Sequence, residues 1–264
     1  MKKSLFIILI ITLIAACYKV PITGRRQLNM LPESTMIGMS LTSYRDFLSR
    51  NKVVTSSNAD EQMVKRTGSK ISIAVEQYLK QKKLTKRVEG FKWEFNLVDD
   101  KTVNAWCMSG GKVVVYTGLL TVTKDEASLA AVMGHEIAHA IARHGNERMS
   151  QQMLVAFGGI GLQVALSTKT TETQNIFLTS YGVGSTLGIL KYSRTHESEA
   201  DKMGLIFMAM AGYNPEAAVG FWQRMAAASG GGKPAEIMST HPSDETRIKD
   251  IKAFLPIAKG YYKN

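Results

Sequence analysis

The sequence predicts a mostly helical α+β domain with a small β-sheet lying beside one long helix. Three observations lead there. Apolar residues recur at helical spacing from Glu33 to Leu84 and again beyond Thr123, they alternate at strand spacing over 91–98, and a Gly-Gly hairpin signal follows at 109–112. At 264 residues, 45% hydrophobic and 21% charged, the chain suits one ordinary globular domain.

The N-terminus stands apart from that domain. Met1-Lys2-Lys3 is a basic start, Leu5 to Ile14 is an apolar run too short to stay in a bilayer as a span, and Ala15 and Ala16 are small. Together they read as a secretory signal peptide over 1–16. Ile14-Ala15-Ala16-Cys17 resembles a bacterial lipobox, in which the cysteine is acylated and begins the mature chain. The other reading is an ordinary signal whose cysteine is incidental. Tyr18 stands where an aspartate would resemble an inner-membrane retention signal, so the expected address is the periplasmic side of the outer membrane. Residues 17–32, with Pro21, Gly24 and Pro32 and no periodicity, are expected as a lipidated tether, and 33–264 as the folded domain.

Val64, Ile71, Val75 and Leu79 mark a helix in the first part of that domain. Phe91 to Val98 alternates and predicts a strand, and Ala105–Met108 with Val113–Tyr116 predicts a hairpin around Gly110-Gly111. Thr123 with Glu126 has capping-box spacing, so a long helix is expected to run to about His144, where Gly145 stops it. Met153 to Leu166 is apolar but broken by three glycines, and is read with Tyr181–Leu190 as helices and loops near the site rather than as a span. A second long helix is expected from Ser193 to Ala211, a third after Pro215, a flexible Gly230-Gly231-Gly232, and a last helix after His241-Pro242.

The formal charge is +11, but the basic residues are scattered, the densest cluster being Lys82-Lys83 with Lys86-Arg87. An exported basic protein meets anionic membrane surfaces and acidic substrates, so no nucleic-acid partner is expected. Only two cysteines exist. With Cys17 lipidated, Cys107 has no intramolecular partner, and its apolar neighbours favour burial.

His135-Glu136-Ile137-Ala138-His139 carries the chemistry. On a helix, residues four apart face the same way, so both imidazoles reach one metal ion, and Glu136 stands close enough to take a proton from metal-bound water. By chance the pentad arises in on the order of one in a hundred chains of this length, so context decides. All five histidines (His135, His139, His144, His196 and His241) lie in or beside three motif-like segments. Catalytic zinc takes three protein ligands and an open position. His144, five residues past His139, points to another face, and Cys107 would be an unusual partner. Glu197 and Asp201 are four apart and share a helical face, from which Glu199 turns well away. Such a pair suits a metal ligand and a carboxylate that orients a ligating histidine; the other reading is a solvated acidic helix face.

HExxH followed by Ser193-Arg194-x-x-Glu197-x-Glu199-Ala200-Asp201 resembles the HtpX/CAAX-endopeptidase family of zinc metallopeptidases, and the lipobox resembles its periplasmic LoiP-like lipoprotein branch. The likeness runs from about Glu33 through Arg247. It includes Asn104-Ala105, the Gly110-Gly111 hairpin, Val115 to Leu120, and His241-Pro242 with Arg247. The resemblance implies a zincin-like fold, one zinc ion per chain, Glu197 as third ligand and Asp201 as support for a zinc histidine. Hydrolysis would need no covalent intermediate, since Glu136 activates the water and then protonates the leaving amine. Expected partners are unfolded or misfolded polypeptides, the membrane through the N-terminal lipid, and the outer-membrane protein assembly machinery.

Two further expectations concern the surroundings. Substrate is expected as an extra strand along the edge Asn104, Ala105, Trp106, Cys107 and Met108, because backbone pairing grips many sequences without reading them. His241 either hydrogen-bonds the oxyanion, with Arg247 lending charge, or fills the open metal position as a plug; family likeness favours the plug. The competing functional classes are a chaperone-like periplasmic quality-control factor with a normally shut zinc site, and a purely structural zinc site. Structural sites prefer four tight ligands, usually with cysteines.

Overall fold

The computed structural model describes residues 17–55, 57–157, 171–181, 193–228, 237, 241 and 245–263. The expected signal peptide, most of 153–166 and 181–190, the Gly230–Gly232 stretch and Pro242 lie outside the described residues. Two short strands, β1 (Cys17–Lys19) and β2 (Arg26–Leu28), precede helices α1 (Glu33–Arg50) and α2 (Ala59–Gln81). Then come β3 (Glu94–Val98), β4 (Ala105–Met108), β5 (Lys112–Tyr116) and α3 (Thr117–Thr123). The remaining helices are α4 (Glu126–Ala142), α5 (His144–Phe157), α6 (Thr171–Ser180), α7 (Arg194–Met210), α8 (Ala217–Ala228) and α9 (Glu245–Lys259). The fold is the mostly helical α+β one expected, with a small sheet beside the HExxH helix α4.

That sheet has the order β3-β5-β4, with β3 parallel and β4 antiparallel to β5. Strands β4 and β5 read as near-continuous apolar runs because both their faces are covered, whereas β3 alternates. Leu97, Ala105, Cys107, Val113 and Val115 point into the main core with α2, α4 and α7. Their neighbours Val98, Trp106, Met108, Val114 and Tyr116 point into a second core under α1, α5 and α6. A period of two thus divides one sequence between two cores. Helix α2 is tied to the sheet by buried Glu61, which accepts the Leu97 amide at 2.8 Å.

Residues 17–32 are not a tether. β1 and β2 form an antiparallel ribbon packed on the domain, with Val20, Gln27, Asn29 and Leu31 buried. Gln27 donates to the Ala142 carbonyl at 2.7 Å, Asn146 donates to the Leu31 carbonyl at 2.9 Å, and the Met30 amide donates to Ser150. The reason is tertiary: Gln27 satisfies the end of α4, while Asn146 and Ser150 of α5 satisfy the ribbon's backbone, partners invisible in the local pattern. Arg87 likewise leaves its basic cluster, donating to the carbonyls of Lys19 and Ile141 in a buried position. Among the described residues no helix is long and apolar enough to cross a membrane.

Candidate metal centre

Helix α4 brings the HExxH residues into the protein interior, where every position from Ser128 to Ala142 is buried. Its N-cap is Asp125, which accepts the Ser128 amide at 2.7 Å; the Thr123 capping box does not form, because Thr123 closes α3 instead. Its end also comes earlier than expected. Arg143 takes a left-handed conformation (φ 63°), which turns the chain so that His144 begins α5. The second ligand helix, α7, is capped by Ser193 and carries Glu197 and Asp201 on its buried face.

The two helices, with His241 from the segment before α9, bring four donor groups within 4.8 Å of one another: His135, His139, Glu197 and His241. His135 Nε2 stands 3.0 Å from His139 Nε2 and 3.2 Å from His241 Nδ1. Glu197 oxygens lie 3.4 Å from both α4 histidines and 2.9 Å from His241. Ligands at 2.0–2.1 Å on the corners of a tetrahedron are about 3.3 Å apart, so this donor set fits a tetrahedral divalent metal. All four groups are buried, which also suits a charge-compensating ion.

Glu136 lies beside the group, its Oε1 3.6 Å from His241 Nε2, buried and with no hydrogen-bond partner among the described residues. Burial pushes its carboxyl up to about 7, against the opposing pull of His241 and Arg247. A buried carboxylate beside the four donors has the placement that a general base requires.

The supports of the two α4 histidines differ. His135 Nδ1 is 2.9 Å from Asp201, so the carboxylate fixes the tautomer that leaves Nε2 free to ligate. Arg247 grips Asp201 with two bonds of 2.8 Å, pairs with Glu197 at 3.0 Å and lies 3.4 Å over the Trp222 ring. Its donors thus anchor Glu197 and the Asp201 carboxylate behind His135. Asp201 is held below the usual carboxylate range, since Arg247 and His135 together outweigh burial. His139 Nδ1 instead meets His144 Nδ1 at 2.9 Å, and His144 Nε2 meets Glu199 at 3.0 Å. Burial depresses His144 to about 4, so it is neutral and can accept from His139 while donating to Glu199. Glu199 does turn away from Glu197, as helical phase requires, but it is engaged rather than idle.

Cys107 is a buried free thiol, pushed well up by burial and by nearby Glu136. β4 is the sheet's edge in pairing, yet Asn104 through Met108 are all buried. Trp222, Glu147 and Arg25 escaped sequence reasoning, as did the partners of Glu199. The one available signal was two histidines, His144 and His196, without a role beside the motif.

Residues 65–255 match the model of Peptidase family M48. The chain belongs to this family. The enzyme class is that of a metalloendopeptidase, and the M48 fold accounts for the HExxH helix and its helical partners. The chain is 35% identical over 243 residues to mitochondrial metalloendopeptidase OMA1 of Schizosaccharomyces pombe, covering 91% of this chain and 67% of that protein. It is 36% identical over 166 residues to the Arabidopsis thaliana OMA1, covering 62% and 32%. The beta-barrel assembly-enhancing protease of Escherichia coli K12 is 30% identical over 165 residues, covering 61% and 34%. This M48 chain thus spans between about a third and two thirds of the length of these relatives.

Proposed function

We propose that this M48 chain is an exported zinc metalloendopeptidase that cleaves unfolded or misassembled envelope proteins, of the LoiP-like lipoprotein branch and anchored through Cys17 to the periplasmic side of the outer membrane. The single observation that carries the catalytic part is the tetrahedral spacing of His135, His139, Glu197 and His241 around a point flanked by Glu136. Zinc, once bound, supplies a water of lowered pKa and polarises the scissile carbonyl. Glu136 takes the proton of the attacking water and returns it to the leaving amine. Asp201 and Arg247 hold His135 and Glu197 in place during both transfers. The relative named for β-barrel assembly supports envelope substrates and a partner in the outer-membrane protein assembly machinery. The Ile14-Ala15-Ala16-Cys17 pattern supports the anchor, and Cys17→Ser should release the protein from the membrane fraction.

A specific observation favours a resting state in which the site is shut. His241 fills the fourth position, and its own segment also touches the sheet edge: the Ile237 amide donates to the Val103 carbonyl at 3.3 Å, and the His241 amide donates to Ile237 at 2.8 Å. Ile237 thus meets the chain just before β4, and His241 stands among the metal donors. Such a protein can hold clients without cutting them for as long as His241 stays among the donors. Substrate would then pair with β4 as an added strand.

The test is cleavage of casein and of a folded, rigid protein by the mature chain. Casein cutting should vanish with a chelator and return with zinc but not magnesium, and the folded protein should survive. His241→Ala should raise casein turnover by about tenfold, because one ligand no longer competes with water. Activity untouched by chelation would sink the zinc assignment, and lower turnover in His241→Ala would sink the shut state.

A further inference from the structure

The ribbon β1–β2 places one side chain far from the surface charge it resembles in sequence. Arg25, between the strands, makes two bonds of 2.7 Å to Glu147 and bonds of 2.9 and 3.0 Å to Glu199. The Thr23 hydroxyl adds a bond of 2.6 Å to Glu199. Both carboxylates are buried, and each also holds a histidine: Glu199 holds His144 at 3.0 Å and Glu147 holds His196 at 3.0 Å. The two imidazoles stack with centroids 4.4 Å apart. The cluster therefore contains two histidines and two carboxylates that take no part in the hydrolysis itself, joined by one guanidinium.

Its direction follows from donor and acceptor chemistry. Arg25 only donates, so Glu199 is held as an accepting carboxylate. Glu199 then accepts the Nε2 proton of His144, which leaves His144 Nδ1 as an acceptor facing His139 Nδ1 at 2.9 Å. His139 must place its proton on Nδ1, and its Nε2 lone pair is left for the metal. Each bond dictates the next.

We infer that Arg25 is a positioning residue of the metal centre, acting through Glu199 and His144 to fix the tautomer and orientation of the metal ligand His139. The N-terminal ribbon is thereby part of the outer sphere of the site, four bonds in series from solvent-facing residues to the ion. Asp201 supports His135 directly, as one carboxylate; His139 depends on a relay whose last member arrives from the other end of the chain.

This inference rests on the reading that His135, His139 and Glu197 bind zinc, and the experiment separates the two. Zinc dissociation constants are measured by competition with a chromogenic chelator on the whole mature chain. Absorption spectra of the cobalt-substituted protein report ligand geometry, and urea unfolding of the metal-free form reports stability. Removing a partner of this kind typically weakens metal binding 10–100-fold, and that range is expected for Arg25→Gln, with an altered cobalt spectrum. Arg25→Lys should fall between, since an ammonium neutralises the carboxylates without bridging them in two planes. Arg26→Gln removes the same charge from an exposed neighbour and should change neither. If Arg25→Gln does not fold, Thr23→Val takes away a single bond to Glu199 and should still weaken zinc several-fold. Zinc affinity and cobalt spectrum equal to wild type in the folded variants overturn the inference, even where stability drops. Absence of zinc binding by the wild type overturns the underlying metal assignment instead.

Discussion

Glu136→Gln should lower peptide hydrolysis about a thousandfold while leaving zinc content unchanged. General bases contribute about 10²–10⁴-fold, and glutamine keeps the shape of the side chain without accepting the proton. None of the four clustered donor groups belongs to residue 136, so nothing in the substitution releases the metal. A second consequence follows from burial. The Glu136 carboxyl is raised from 4.5 to about 7 in the metal-free fold. A raised folded value means stability that is fully present below pH 4.5 and is lost as pH rises through about 7. At about 1.4 kcal/mol per pH unit, the loss is on the order of 3 kcal/mol at pH 8. Metal-free Glu136→Gln lacks that loss, so it should match wild type near pH 4.5 and exceed it near pH 8 in urea unfolding. Loss of zinc together with activity would refute the base assignment; equal pH dependence in both proteins would refute the buried charge.

What the sequence made readable was local. His135, Glu136 and His139 announce themselves because the geometry that matters is a single turn of helix, and Glu197 with Asp201 for the same reason. The sheet was readable through the alternation over 91–98 and its Gly-Gly hairpin, but its division between two cores was not. What failed was tertiary. The ribbon at 17–32 has no period because Gln27 and Met30 answer to α4 and α5 rather than to each other. Gly145 reads as a helix stop, yet the stop is at Arg143, and Gly145 is glycine because a Cβ there would come within 2.5 Å of the Tyr181 ring. Thr123 had the spacing of a cap, but it closes α3, and Asp125 caps α4 instead. Arg247 carried the right charge for an oxyanion, and the structure spends that charge on Asp201, Glu197 and the Trp222 ring.

Gly204→Ala should damage the metal centre without touching any ligand. Helices α4 and α7 cross where Gly134 faces Gly204, and the crossing lies directly behind His135. A Cβ on residue 204 would stand 2.8 Å from the His135 amide nitrogen and 3.0 Å from the Gly134 carbonyl carbon. Ordinary contact distances are about 3.5–4.0 Å, and the atoms in the way are backbone, so no side chain can swing aside. The helices must separate by several tenths of an ångström. They are the two bodies that carry His135, Glu136 and His139 on one side and Glu197 and Asp201 on the other. Metal sites tolerate roughly 0.2 Å in their ligand distances, so zinc binding should weaken by at least tenfold. Overpacking costs about 1–3 kcal/mol, against which alanine regains about 1 kcal/mol of helix propensity. The net should be a small loss of melting temperature and a large loss of zinc affinity. Gly38→Ala in α1 is the matched control, since a Cβ there meets nothing within 4 Å. That variant collects the propensity gain alone and should melt slightly higher with zinc affinity unchanged. Should Gly204→Ala behave like Gly38→Ala in both measurements, the close crossing of α4 and α7 would not be what sets the ligand geometry.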